Sequence, residues 1–323
     1  MNVTVLSTGG TIASTDAAGG PEPTRTGAQL LEAVPELEEY ASLTVEEVVQ
    51  TPSYEMDATT LERIGDRVRG LEDDPTVDAV VVTHGTDTLE ETAYYLDVTV
   101  QPDTPVFLTG AQRRPDEVSP DGPGNLLTAV RAGRAFADRG ADGAFVAFNE
   151  TVHAARSAAK THASALETFR SANAGPVATV DRDGVVVHRA PRSETRPLAA
   201  TSLAATVFTI KSGSCVTGEL LAAALERDPD GLVIEGTGLG NATAGIAEGV
   251  REATGDGVPV VVASRCLEGR ATPVYGGDGG GERLRKYGAI FAGDLSAQKA
   301  RIRLALALET YDDETGIRDA FAE

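Results

Sequence analysis

A chain of 323 residues exceeds the length at which one hydrophobic core usually keeps growing, so two domains are expected, and 41% hydrophobic residues suffice for a sizeable interior. The formal charge of −21, from 49 acidic against 28 basic residues, argues against nucleic acid or an anionic membrane as a partner. Only Lys160, Lys211, Lys286 and Lys299 are lysines. A carboxylate-rich, lysine-poor surface repels itself in dilute salt and is screened near 1 M, where the Debye length is about 3 Å. Salt adaptation is the sharper reading of this composition, and an ordinary acidic cytosolic protein is the plainer one.

Along the chain, short β-rich apolar runs alternate with longer stretches of helical period, the pattern of parallel βαβ units. Strands are predicted at 3–7, 44–50, 78–83, 105–109 and 143–148, with helices near 27–34, 57–72, 88–97, 123–138 and 160–169. Val177–Val180 and Val185–His188 flank Asp-Arg-Asp-Gly, whose ending signals a hairpin. Residues 189–205 carry prolines, arginines and small polar residues and read as a linker. Strands then resume near 206–210, 231–235, 258–263 and 288–292, with helices near 216–227, 242–254, 296–309 and 313–322. The fold class is α/β. A larger doubly wound parallel domain spans 1–188, and a smaller α/β domain spans 206–323.

Cys215 and Cys266 form no metal-ligand spacing and no disulfide framework, and buried structural thiols are expected. The chain opens directly into a strand, and no stretch approaches the roughly 18 apolar residues of a membrane span, so a cytoplasmic protein is expected. Gly276–Gly281, interrupted only by Asp278, lacks the Gly-Lys-Ser/Thr ending of a phosphate loop and the spacing of a dinucleotide fingerprint. It reads as a mobile loop.

Two segments carry chemistry. Thr8-Gly9-Gly10-Thr11-Ile12-Ala13 follows the first strand, and Thr83-His84-Gly85-Thr86-Asp87-Thr88 follows Ala79–Val82. Ligands bind at the carboxyl ends of parallel strands, so the two loops could face one pocket. Glycine lets backbone N–H groups approach a developing oxyanion, and a threonine hydroxyl attacks a carbonyl only with a base and such donors beside it. Taken alone, Thr11 could equally cap a turn.

These two segments resemble the paired signatures of the L-asparaginase family of bacterial and archaeal type. The likeness continues in order through Thr51-Pro52-Ser53, Leu108–Gln112, Ser119–Leu126, Ala159-Lys160-Thr161, Gly236–Asn241 and Ser296–Arg301, and so covers nearly the whole chain. The resemblance implies hydrolysis of L-asparagine to aspartate and ammonia, with Thr11 as the nucleophile and Thr86, Asp87 and Lys160 as the second catalytic group. It implies no cofactor, no metal and a homo-oligomer, a dimer or a tetramer. Gly10, Thr11 and Thr86 are the candidate oxyanion donors, Ser53 the group for the substrate α-carboxylate, and Asp87 the partner of its ammonium. Ala111 lines the pocket, and Asn241 comes from the second domain or a neighbouring subunit. Ser53 also reads as a helix N-cap, with Glu55 or Met56 opening the helix. His84 tempts a Ser-His-Asp reading, but no G-x-S-x-G elbow exists and a structural imidazole is favoured.

The chain also departs from the family pattern. Periplasmic members carry a flap tyrosine some dozen residues after the first motif, whereas residues 15–39 contain none. Tyr275, beside the glycine run, is the first candidate substitute, and Tyr54 the second. Tyr54 stands where many relatives have glutamine, which puts the contact to the α-amino group in question, and Glu282 is nearest to the glutamate supplied across the interface. A dual glutaminase–asparaginase is the rival enzyme. The amidase component of a tRNA-dependent amidotransferase shares both motifs but carries an additional N-terminal domain, and a non-enzymatic amino-acid sensor is the rival from another class.

Overall fold

The computed structural model describes residues 1–17 and 19–322. It divides into two compact units, Met1–Pro197 and Leu198–Glu323. The division falls inside the predicted linker, whose first part is held by the first unit. Ser193 N donates to Asp142 Oδ1 at 2.8 Å, and Gln101 Nε2 donates to the Thr195 carbonyl at 3.0 Å.

The strands of the first unit are β1 (Asn2–Gly9), β2 (Ser14–Thr15), β3 (Glu22–Pro23), β4 (Ser42–Thr51), β5 (Ala79–Thr83), β6 (Val106–Thr109), β7 (Ala144–Phe148), β8 (Thr151–Ala154), β9 (Ala159–Lys160), β10 (Phe169–Arg170), β11 (Ala178–Val180) and β12 (Val185–Val187). Its α-helices are α1 (Gly27–Glu32), α2 (Ala58–Glu72), α3 (Leu89–Thr99) and α4 (Gly122–Ala137). The main sheet runs β12-β11-β8-β7-β6-β5-β1-β4. From β4 to β7 neighbours are parallel, while β8, β11 and β12 extend the sheet antiparallel. β5, β6 and β7 are buried at every position, as strands covered on both faces should be. The edge strand β4 is only partly buried.

The parallel part has a consequence for function. Taken in chain order its strands lie 2-1-3-4-5, so the direction of winding reverses between β1 and β5. That reversal opens a crevice beyond the carboxyl ends of these two strands, where open α/β sheets hold their ligands. The core beneath packs α4 on the sheet, with Phe136 edge-on to Phe145 at 5.0 Å between centroids.

The second unit carries a four-stranded parallel sheet in the order β13 (Val207–Lys211), β14 (Gly231–Gly236), β15 (Val260–Ser264), β16 (Ile290–Phe291). Its helices are α5 (Glu219–Leu225), α6 (Ala244–Gly255), α7 (Gly281–Lys286), α8 (Ala297–Thr310) and α9 (Glu314–Asp319).

Four expectations need correction. Residues 160–169 form no helix: β9 and β10 pair antiparallel, Lys160 against Phe169, and the turn between them is closed by His162 Nδ1, which accepts from Ser164 N and Ala165 N. Both cysteines are exposed rather than buried, because each lies in the loop after a strand end instead of on a strand facing the core. Ser53 is not the N-cap of the following α-helix. It opens a short 3-10 turn, and Asp57 caps α2 by accepting from Thr60 N at 2.8 Å. The glycine run also ends sooner than read: Gly279 O accepts from Ala242 N at 2.8 Å, and Gly281 begins α7.

Candidate active site

β1 and β5 each end in a glycine-bearing loop, and the loops touch. Gly10 sits at φ +82°, where L side chains are strained, and a Cβ there would lie 2.3 Å from Gly85 N. A Cβ on Gly85 would lie 2.5 Å from Ser53 Oγ. Glycine at these positions is therefore what lets the three segments close together. The hydroxyl of Thr8 donates to the Thr83 carbonyl at 2.7 Å and fastens β1 to β5 just below. His84 is fully buried. Its Nδ1 faces the Gly85 carbonyl at 2.7 Å and its Nε2 the Thr92 hydroxyl at 2.9 Å, and burial pushes its imidazole down to about 4. Such an imidazole shapes the loop, as the structural reading expected.

Above the junction lies a cavity of about 380 Å³ lined by Gly10, Thr11, Ser53, Tyr54, Thr86 and Asp87, together with Ser14, Pro21, Pro23, Gln112, Arg114 and Glu117. Thr11 opens the 3-10 turn after β1 and is partly buried, and Thr86 is 4% exposed. Lys160, at the end of β9, reaches in from the side. Its Nζ donates to Thr86 Oγ1 at 2.8 Å and to Asp87 Oδ1 at 2.6 Å, and its backbone N donates to the carboxylate of buried Glu90 in the first turn of α3. Ser53 Oγ accepts from Asp87 N at 3.3 Å, and Ser53 O accepts from Thr88 Oγ1 at 2.7 Å. The serine's own proton is thereby left to donate to a ligand. The N-terminus of α3 adds partial positive charge suited to an anion.

Ala111 is buried in the core, next in the chain to Gln112 of the cavity wall, and is not itself among the lining residues. The motif Ser119–Asn125 holds that wall. Asp121 accepts from Gln112 N and Arg113 N, and Asn125 Nδ2 donates to the Gly110 carbonyl at 2.9 Å. A flap made by β2 and β3 contributes Pro21 and Pro23, and Asp16 N bonds it to Asp116 Oδ2 at 2.8 Å.

Asn241, Tyr275 and Glu282 belong to the second unit and lie together there. Asn241 Oδ1 accepts from Gly281 N at 3.0 Å, and the Tyr275 carbonyl accepts from Glu282 N at 3.0 Å. The Glu282 carboxylate pairs with Arg285 and Lys286, and the Tyr275 side chain is exposed. Gln112, Arg114, Glu117 and Glu90 escaped sequence reasoning. The first three sit on an irregular loop without periodicity, and only the position of Glu90 in the first turn of a helix hinted at a role.

Size does not single this cavity out, since one of about 510 Å³ lies in the second unit beside Tyr311 and Asp312. What distinguishes it is a pair of threonine hydroxyls, one held by a lysine, among glycine backbone. Side chains so arranged serve attack on a carbonyl, and the class they define is an amide-cleaving hydrolase. No group of side chains that could hold a metal occurs among the described residues, and none of their helices is long and apolar enough to cross a membrane.

Known proteins narrow the class. Residues 2–193 match the family model "Asparaginase, N-terminal", and residues 206–321 match "Glutaminase/Asparaginase C-terminal domain". The chain belongs to the asparaginase family. An L-asparaginase of Bacillus licheniformis is 34% identical over 99% of this chain and 98% of its own length. A glutamyl-tRNA(Gln) amidotransferase component from Methanosphaera stadtmanae is 31% identical over 98% of this chain and 74% of its own. A glutaminase-asparaginase of Pseudomonas fluorescens biotype A is 31% identical over 100% and 90%.

Proposed function

We propose that this protein hydrolyses L-asparagine to L-aspartate and ammonia through an acyl-enzyme at Thr11. The observation that carries the reading is the contact of Lys160 with Thr86 and Asp87 in the same cavity as Thr11. The Thr11 hydroxyl adds to the side-chain carboxamide carbon, with backbone N–H groups of Gly10, Thr11 or Thr86 facing the developing oxyanion. The tetrahedral centre collapses, the C–N bond breaks and a proton passes to the leaving ammonia. Water, ordered by Thr86 and Lys160, then cleaves the ester and restores Thr11. Ser53 donates to the substrate α-carboxylate, and Asp87, whose side chain is 58% exposed, pairs with the α-ammonium. No cofactor enters the scheme. Tyr275 is the candidate for the phenol missing from the flap, and Asn241 and Glu282 are candidates for groups supplied by a neighbouring subunit.

The proposal extends to a cytoplasmic homo-oligomer, and to salt adaptation because a charge of −21 repels itself as screening weakens. Ammonia release from asparagine and glutamine, side by side at about 1 M and about 0.1 M salt with light scattering on the same samples, tests both parts. Asparagine turnover by an oligomer in concentrated salt, lost on dilution of the salt, is expected. Ammonia from neither amide would overturn the activity, and salt-independent behaviour would overturn the adaptation. Comparable turnover of glutamine would make the enzyme dual, since one methylene is discriminated by only about 1–3 kcal/mol.

A further inference from the structure

Gln112 stands in the wall of the Thr11 cavity, and the scheme above gives its side chain no part. Its Oε1 accepts the Thr86 hydroxyl proton at 3.3 Å. Its Nε2 is buried with no hydrogen-bond partner among the protein atoms. Buried amide donors ordinarily find an acceptor, and one that does not calls for a reason. The main chain that carries it is held in the wall, where its backbone N donates to both carboxylate oxygens of Asp121 at 3.1 Å each and the next backbone N donates to Asp121 at 2.8 Å.

The hydroxyl of Thr86 has one proton and two lone pairs. Lys160 Nζ donates into one lone pair, and Gln112 Oε1 takes the proton, so the second lone pair is left to the occupant of the cavity. We infer that Gln112 is a positioning residue. It fixes the direction of the Thr86 proton through Oε1, and its Nε2 donates to an oxygen that the substrate brings, a carbonyl or a carboxylate. The two roles are coupled by one planar amide. A half-turn would point Nε2 at Thr86 and push that hydroxyl's proton into the cavity, whereas a substrate oxygen on Nε2 holds the orientation in which Thr86 can accept a hydrogen bond from the attacking water. This inference rests on the amidohydrolase reading.

Two substitutions separate the roles. Gln112→Met keeps the length of the side chain and removes both polar ends, and Gln112→Glu keeps an acceptor for Thr86 but replaces the donor. With Gln112→Met, kcat/KM for asparagine is expected to fall about ten-fold or more, shared between a lower kcat and a higher KM, while the melting temperature does not fall because a buried unpaired donor has been removed. With Gln112→Glu the rise in KM remains. Wild-type kcat and KM in Gln112→Met would overturn the inference alone. A loss of activity in that variant matched by a lowered melting temperature would assign Gln112 to the fold and overturn it too. A wild type that releases ammonia from neither asparagine nor glutamine would overturn the amidohydrolase reading and this inference with it.

Discussion

Replacing Lys160 by methionine removes one ammonium while keeping most of the side-chain stem, and it separates what that group does for the fold from what it does for the reaction. In the folded protein Nζ touches Thr86 Oγ1 at 2.8 Å and Asp87 Oδ1 at 2.6 Å. The Asp87 side chain is 58% exposed, so water solvates its carboxylate once the partner is gone, and such a pair is worth about 0–1 kcal/mol. Thr86 keeps its bond to Gln112. The expected cost in stability is therefore below about 1 kcal/mol, a melting shift of about 2–4 °C or less for a unit of this size. A positioned acid–base group contributes about 10²–10⁴ in rate, or about 3–5 kcal/mol, so turnover should fall by that factor while the fold barely responds. Lys160→Arg sharpens the test, because a guanidinium keeps the charge and cannot give up its proton. Steady-state ammonia release and thermal melts on the same preparations read both quantities. A Lys160→Met enzyme within ten-fold of wild type, or full rescue by arginine, would refute a proton-handling role.

Three further outcomes are expected. Thr11→Ala and Thr86→Ala should each abolish ammonia release with melting unchanged, and the double variant should be little worse than the worse single one, since groups acting as a unit are not additive; independent, multiplying losses would separate the two hydroxyls. Tyr275→Phe, which removes only a phenolic oxygen, should lower kcat about 10²-fold, and an unchanged kcat would dismiss Tyr275 as the flap substitute and turn attention to Tyr54. Burial holds His84 and His153 down to about 4, below the unfolded value of about 6.5. The unfolded chain thus binds more protons between those values, so the stabilisation is present above pH 6.5 and is lost as pH falls toward 4. For His84 that amounts to about 3 kcal/mol, and denaturant midpoints that decline equally steeply in His84→Gln would contradict it.

The cavity's two principal loops were legible because each pairs a threonine with glycine at the end of a short, largely apolar run, a local pattern that chain order and strand-end chemistry suffice to interpret. That Gly10 is pressed against Gly85 could not be read, since the contact joins residues far apart in sequence. The segment around Lys160 misled for a related reason. Ala, Lys, Leu and Glu favour helix locally, but Lys160 pairs with Phe169 across a short ribbon and its N–H is taken by Glu90, so tertiary partners override propensity. Gln112, Arg114 and Glu117 line the cavity from an irregular loop held by Asp121, where no hydrophobic period marks which side chains face inward. In the second unit the strands and longer helices were foreseen within a few residues, whereas α7, six residues long and opened by Gly281, was hidden by the glycines before it.

The central claim, that Thr11 carries the acyl group, is tested most directly by rapidly quenching the enzyme during asparagine turnover in molar salt and mapping the modified peptide by mass spectrometry. The account predicts an aspartyl ester on Thr11, absent from Thr11→Ala and accumulating in Lys160→Met, where its hydrolysis is slowed. An ester on Thr86, or turnover at the wild-type rate by Thr11→Ala, would contradict it.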